Sequence, residues 1–354
     1  MRIVQIIDSL DVGGAEMMAV NYANGLSEKI EFSGIVVTRK EGSLKENLDK
    51  KVHYLFLNRQ GKVGWSAVWR LKAFCKKNKV GFAHAHSSSF FTASLLKLIH
   101  PKIKLIWHDH YGLSEFLASR PKLPLQITSH FFFGIISVNN QLKDWAIKNL
   151  HCKNVIYLPN FSSDSYSGSE KTILNGISGK RIVCVANLRP QKNHFLLLKV
   201  AQKLKLSHPD WTFHLIGKDF NDDYSTQIKT LISSELKNTV YIYGAKNDTA
   251  RIIMQSDIGI LTSDSEGLPV SLLEYGHQAK PVVVTKVGEI PKMIKNGENG
   301  FIVNPNDEQA FYDGLIALVN NIYLRKQLGN SLSQTVLEHH SENAIMAKYI
   351  NWLK

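Results

Sequence analysis

Ile258-Gly259-Ile260-Leu261-Thr262-Ser263-Asp264-Ser265-Glu266-Gly267-Leu268-Pro269-Val270-Ser271-Leu272-Leu273-Glu274 contains the change of period that decides the fold. A short β-rich apolar run (258–261) gives way to a Gly/Pro loop, and helical spacing follows over 268–277. Another strand-like run (281–285) comes almost at once. Strand, helix and strand in such close order predict parallel strands joined by a crossover helix.

Outward from this segment the same rhythm fills the chain. In the first half the expected strands are 3–7, 32–37, 52–57, 82–84, 103–107, 135–138 and 155–158, with helices at 16–27, 65–77, 88–99 and 141–150. In the second half, strands at 182–186, 212–216, 240–243, 258–261 and 281–285 alternate with helices at 194–206, 225–236, 249–255 and 268–277. The stretch 160–179, rich in Ser, Gly and Asp, reads as a linker. The prediction is an α/β protein of two Rossmann-like, doubly wound domains facing a cleft, residues 1–160 and 161–354, with C-terminal helices. The last helix, at about 341–353, either closes the second domain or packs back on the first. Ligands of such sheets bind beyond the carboxyl ends of the strands.

Composition supports this. The 354 residues are 44% hydrophobic and 21% charged, which excludes disordered, collagenous and low-complexity chains. The start, Met1-Arg2-Ile3-Val4-Gln5-Ile6-Ile7, reads as a strand and not as a secretory signal. No apolar run approaches the roughly 20 residues that span a bilayer. Three cysteines without metal or disulfide spacing suit reduced thiols in the cytoplasm.

Charge is uneven. The formal net charge is +13, and residues 1–160 hold 22 basic against 11 acidic side chains, while residues 161–354 hold 21 against 19. Between residues 50 and 108 there are 12 Lys/Arg and no carboxylate. Such asymmetry suits an anionic partner. No interleaved aromatic RNA-binding motif occurs, so a membrane surface or an acidic substrate fits better than nucleic acid. Within the basic run, Trp65, Val68, Trp69 and Leu71 stand among Arg70, Lys72, Lys76 and Lys77, the make-up of an interfacial helix. A core helix with a basic solvated face has the same composition.

Several segments carry candidate chemistry. Glu266 and Glu274, eight residues apart, supply acceptors for sugar hydroxyls. Gly267, Leu268 and Pro269 at the helix start offer backbone N–H groups to an anion. Arg189-Pro190-Gln191-Lys192 follows a strand with two cations suited to a diphosphate. Gly13 and Gly14 open a helix after the first strand. His84, His86, His108 and His110 form two i, i+2 pairs on successive strands. Alternate strand residues share a face, so these are candidates for substrate contact, His108 foremost. A metal site there would need a third ligand that the pattern does not name. The ordinary alternatives are a tight turn, a solvated basic loop, a capping carboxylate and packing histidines.

Taken together these motifs resemble the family 4 retaining glycosyltransferases of GT-B fold. The resemblance rests on Glu266…Glu274 as an E-x7-E motif, Lys280-Pro281-Val282-Val283, Val287-Gly288, Asn299-Gly300-Phe301, Asn304-Pro305-Asn306-Asp307 and Leu188-Arg189-Pro190-Gln191-Lys192. In the first half it rests on Gly13-Gly14-Ala15-Glu16, His84-Ala85-His86, Trp107-His108-Asp109 and Leu158-Pro159-Asn160. It implies a nucleotide-sugar donor on the second domain and a glycan or lipid-linked acceptor on the first. Glu274 would hold ribose hydroxyls and Glu266 those of the transferred sugar. Lys192, Arg189, Gly267, Leu268, Pro269, Gly13 and Gly14 would serve the donor, and His108 would lie near the reacting carbon. The resemblance further implies no cofactor, and the missing D-x-D triplet predicts no metal. With the basic first half, it suggests a cytoplasmic enzyme peripheral to the membrane that works on bacterial surface polysaccharide. Three positions depart from the family. Tyr275 follows Glu274 where alanine is usual, Ala279 stands where glycine is usual, and Asn187 holds the usual arginine position. A sugar-nucleotide epimerase, a glycoside hydrolase and a non-catalytic membrane-binding protein are the alternatives.

Overall fold

The computed structural model describes residues 1–61, 63–112, 114–161 and 172–354. The chain divides into two compact units, Met1–Ser167 with Glu342–Lys354, and Gly168–Ser341.

The first unit runs β1 (Arg2–Ser9), α1 (Gly14–Ser27), β2 (Phe32–Lys40), β3 (His53–Phe56), α2 (Trp65–Lys77), β4 (Phe82–His86), α3 (Phe90–Ile99), β5 (Lys104–Asp109), α4 (Leu123–Thr128), β6 (Phe132–Ser137), α5 (Asn140–Asn149) and β7 (Val155–Tyr157). Its sheet is parallel, in the order β3-β2-β1-β4-β5-β6-β7. Ile3, Val4, Ile6 and Ile7 are all buried, because helices cover both faces of such a sheet and a central strand has no wet side.

The second unit repeats the design with β8 (Arg181–Val185), α6 (His194–Ser207), β9 (Thr212–Ile216), α7 (Asp223–Glu235), β10 (Val240–Gly244), α8 (Thr249–Met254), β11 (Ile258–Leu261), α9 (Val270–His277), β12 (Val282–Thr285), α10 (Ile290–Met293), β13 (Phe301–Val303), α11 (Glu308–Asn320) and α12 (Ile322–His339). The strand order is β10-β9-β8-β11-β12-β13, again parallel. Polar side chains start these helices. Asn193, Asp222, Asp307 and Asn321 each accept the backbone N–H three residues on, as N-caps do.

The last helix, α13 (Glu342–Leu353), belongs to the first unit. It buries Ile345, Met346, Tyr349 and Leu353, and the Trp352 indole donates to Asn154 Oδ1 at 2.8 Å. Half of the expected linker, residues 162–171, lies outside the described residues. Among the described residues, no helix is long and apolar enough to cross a membrane.

Some expectations shift. α9 begins at Val270, two residues late, because Pro269 is extended and takes the cap position. β4 runs on to His86. One of the three family departures has a local cause, and a second stands in a conformation that favours the usual residue. The Tyr275 ring occupies space that Gly259 leaves open, where a Cβ would come within 2.7 Å of it. Ala279 ends α9 with φ of 49°, the left-handed conformation for which glycine is usual.

Candidate active site

In the second unit the chain turns from β8 to β9 on one side and to β11 on the other. The carboxyl ends of β8 and β11 are therefore the topological switch point. Lys192 arrives there from a 3₁₀ turn after β8, and Glu266 from the loop after β11. Lys192 Nζ donates to Glu266 Oε1 at 2.5 Å, and Ser263 Oγ donates to the same oxygen at 2.7 Å. The Glu266 side chain is 6% exposed and that of Lys192 21%.

The two loops are tied together. Asp264 N–H donates to Gln191 O at 2.9 Å, Thr262 Oγ1 to Lys192 O at 3.0 Å, and Asn193 Nδ2 to Asp264 Oδ1 at 2.9 Å. Asn193 Nδ2 also reaches Asn306 Oδ1 at 2.8 Å. On the other side, Glu289 N–H donates to Gly267 O at 2.9 Å. Gly288 sits so close that a Cβ would lie 2.2 Å from Glu266 O, and its φ is 55°. Only glycine meets both demands, so this residue holds the Glu266-Gly267 turn in place.

Glu274, on α9, is partly buried and accepts from Thr249 Oγ1 at 3.1 Å. Desolvation pushes its carboxyl up to about 7, against the Thr249 hydrogen bond, which lowers it. Below the switch point the groups are neutral. Burial raises Cys184 to about 12 and lowers His194 to about 4.

Arg189 starts the same turn, and its carbonyl accepts the Lys192 N–H at 2.9 Å. It is exposed, with its guanidinium 4.5 Å from the centroid of Phe220. Asn187, at the usual arginine position, accepts the Lys218 N–H at 2.7 Å and so braces the β9 loop. Lys218 Nζ lies over the same Phe220 ring at 5.5 Å.

In the first unit, Gly13 caps α1 in an extended conformation, and a Cβ on it would strike the Glu16 carboxylate at 2.3 Å. Gly14 has open space around it. His84, His86 and His108 do come together, but with no exposed surface, so His108 presents no face to a ligand in this conformation. His110 is the member that is partly exposed. Helix α2 also divides the expected anchor set. Val68 and Leu71 are core residues, while Trp65 and Trp69 are 51% and 54% exposed. Lys72 Nζ lies 4.4 Å from the Trp69 ring centroid.

Residues 175–334 match the family model described as glycosyl transferases group 1, and residues 12–166 match the one described as glycosyltransferase family 4. The chain belongs to glycosyltransferase family 4. The transferase is 23% identical over 334 residues to UDP-Gal:alpha-D-GlcNAc-diphosphoundecaprenol alpha-1,3-galactosyltransferase of Escherichia coli, covering 86% of this chain and 85% of the relative. An uncharacterised glycosyltransferase of Haemophilus influenzae is 24% identical over 327 residues, 90% of each chain. Among solved structures, Anabaena HepE in complex with UDP-glucose matches the transferase with a TM-score of 0.78 at 17% identity, covering 100% of this chain and 99% of that one. Its two Rossmann-like units are those of the GT-B fold.

The site contains residues that spacing alone did not reveal. Thr249, Asn193, Asp264 and Asn306 act through contacts between distant segments. Asn193 alone carried a local signal, as an Asn immediately before a helical run.

Proposed function

We propose that the protein is a retaining glycosyltransferase that moves a sugar from a nucleoside-diphosphate sugar to a lipid-linked glycan in bacterial surface polysaccharide synthesis. The observation that carries this reading is the partly buried Lys192–Glu266 pair at the switch point of the second unit. It puts a cation and a hydroxyl acceptor within one ligand's reach, with Glu274 on the helix that follows.

In this reading Glu274 holds the ribose hydroxyls and Glu266 those of the transferred sugar. Departure of the diphosphate builds negative charge on its oxygens. Lys192, Arg189 and the N–H groups of Gly267 and Leu268 stabilise that charge as it forms, usually the largest single catalytic effect. These groups take the place of a divalent ion, so transfer needs none. The first unit serves the acceptor. Its basic surface suits a lipid diphosphate and the anionic inner face of a membrane, and the Escherichia coli relative is named for such a diphosphoundecaprenol acceptor.

The test has two arms. A thermal-shift screen with UDP, GDP, CMP and their sugars should find one nucleotide that raises the melting temperature, since a ligand of the folded state stabilises it. That donor should then transfer to a lipid-diphosphate glycan with its anomeric configuration kept, at a rate nearly unchanged in excess EDTA. An inverted product overturns the retaining assignment. Loss of transfer in EDTA, restored by magnesium or manganese, overturns the metal-free one.

A further inference from the structure

We propose that His84, His86, His108 and His110 form a binding site for one divalent transition-metal ion in the first unit, a property separate from sugar transfer. The four rings gather at the carboxyl ends of β4 and β5. His86 pairs with His108 in register, and His84 lies two residues before His86 on the same face of the sheet.

The inward nitrogens face one another in two pairs. His84 Nε2 lies 3.2 Å from His108 Nδ1, and His86 Nδ1 lies 3.0 Å from His110 Nε2. One ring nitrogen from each of His84, His86 and His108 lies within 4.8 Å of the other two. Two nitrogens sharing a tetrahedral zinc at 2.0–2.1 Å would stand about 3.3 Å apart. Each pair already has nearly that spacing, and His84, His86 and His108 are close enough together to share one ion, with His110 beside His86 at the edge.

Two of the outer nitrogens, those of His86 and His84, are held as those of metal-binding histidines are. His86 Nε2 meets Gln5 Oε1 at 2.9 Å, which places its proton there and leaves the lone pair of Nδ1 facing inward. His84 Nδ1 meets the Tyr349 hydroxyl at 3.0 Å. A hydroxyl accepts as readily as it donates, so His84 can carry its proton on Nδ1 and free Nε2 for a metal.

Electrostatics agree. Desolvation keeps His84, His86 and His108 well below the ordinary imidazole pKa and His110 at about 3. Neutral imidazoles have no proton to shed before they bind a metal. An all-imidazole set suits zinc, cobalt, nickel or copper rather than magnesium or calcium. The partly exposed His110 gives an ion a way in.

The test uses untagged, full-length protein stripped with chelator and titrated with Zn2+ and, separately, with Co2+. One ion per chain should survive gel filtration, the melting temperature should rise, and Co2+ should give the visible absorption of a four-coordinate nitrogen site. Removing a ligand should weaken binding by about tenfold or more. His86→Gln tests the buried part and His110→Gln the exposed edge, where folding is least at risk. His151→Gln is the control, since His151 belongs to an exposed ring stack with His130. No stoichiometric ion, equal binding in folded His86→Gln and His110→Gln, or loss of binding in His151→Gln overturns the proposal. Metal content is read without a sugar donor, so failure here leaves the transferase reading standing.

Discussion

Arg120 grips Asp109 through two hydrogen bonds, Nη1 to Oδ2 at 2.7 Å and Nη2 to Oδ1 at 2.8 Å. Both side chains are buried, and the guanidinium lies 4.3 Å from the Tyr111 ring centroid and 4.2 Å from that of Trp145. Asp109 directly follows His108, so this fork fixes the strand end that carries His108 and His110.

Arg120→Met should therefore cost about 3–5 kcal/mol, the range for removing one partner of a buried ion pair. Arg120→Lys keeps the charge without the fork and should fall between. Burial already raises the Asp109 pKa, and Arg120 opposes that rise. Without the arginine the folded-state pKa climbs further above the unfolded value. The folded state then binds more protons than the unfolded state, and stability falls as pH rises through that window. Urea titrations at pH 5 and pH 8 should show the loss in Arg120→Met growing with pH.

Glu274→Gln and Lys192→Ala should fold normally and lose transfer. Losing a hydrogen bond to a charged group costs roughly 1.5–3 kcal/mol, or about tenfold or more in donor affinity or rate. Full activity in both purified variants would remove the site assignment. With the Glu274 carboxyl at about 7, donor affinity in the wild type should fall as pH drops from 8 to 6, and Glu274→Gln should flatten that dependence. The raised pKa also makes folding less favourable above 7, so the same variant should lose less stability between pH 6 and 8.

The Tyr275 ring stands where a Cβ on Gly259 would come within 2.7 Å of it. Gly259→Ala should destabilise by about 1–3 kcal/mol through overpacking. In the Tyr275→Ala background, which restores the alanine usual in the family, the same change should be nearly neutral. A double-mutant cycle measures the difference, and additive effects would mean that the two positions are independent.

Ala279 keeps a Cβ at φ of 49°. A left-handed L-residue costs roughly 1–2 kcal/mol, partly offset in Ala279→Gly by the greater freedom of unfolded glycine. The net expectation is a gain of about 0.5 kcal/mol or slightly more, read as a raised melting temperature with unchanged donor binding.

On α2, a helical repeat of 3.6 residues puts Trp65, Trp69, Lys72 and Lys76 in one stripe and turns Arg70 and Lys77 about 120° away. Arg70 also donates to the Leu57 carbonyl. Sedimentation with liposomes should require anionic lipid and fade in high salt. Charge reversal at Lys72 and Lys76 should weaken it more than reversal at Arg70 and Lys77. Equal partition onto neutral and anionic vesicles, or none onto either, would exclude the docking role.

Both sheets were legible in the sequence because strands and crossover helices change period sharply, as at Leu261 and Leu268. The Glu266–Lys192 pairing was legible only as two loops that both follow strands, and strand order is what joins them. Val68 and Leu71 read as anchors because composition does not say which stripe of α2 faces the sheet. Arg120 gave no signal, for its partner lies eleven residues away through an irregular segment. The shared cluster of His84 and His110 depended on strand register, which a single sequence expresses weakly.

Tyr349 places α13 against His84, 265 residues earlier in the sequence. The first unit thus waits for the second to be synthesised before its own last piece emerges from the ribosome. Until then α1 and the histidine strands lack a cover of Ile345, Met346 and Tyr349, and the nascent protein carries an unsealed apolar face through most of its translation. A nonsense codon near residue 341 would spare every motif in the second unit and still cripple the first, and a peptide of residues 342–354 supplied separately should repair it.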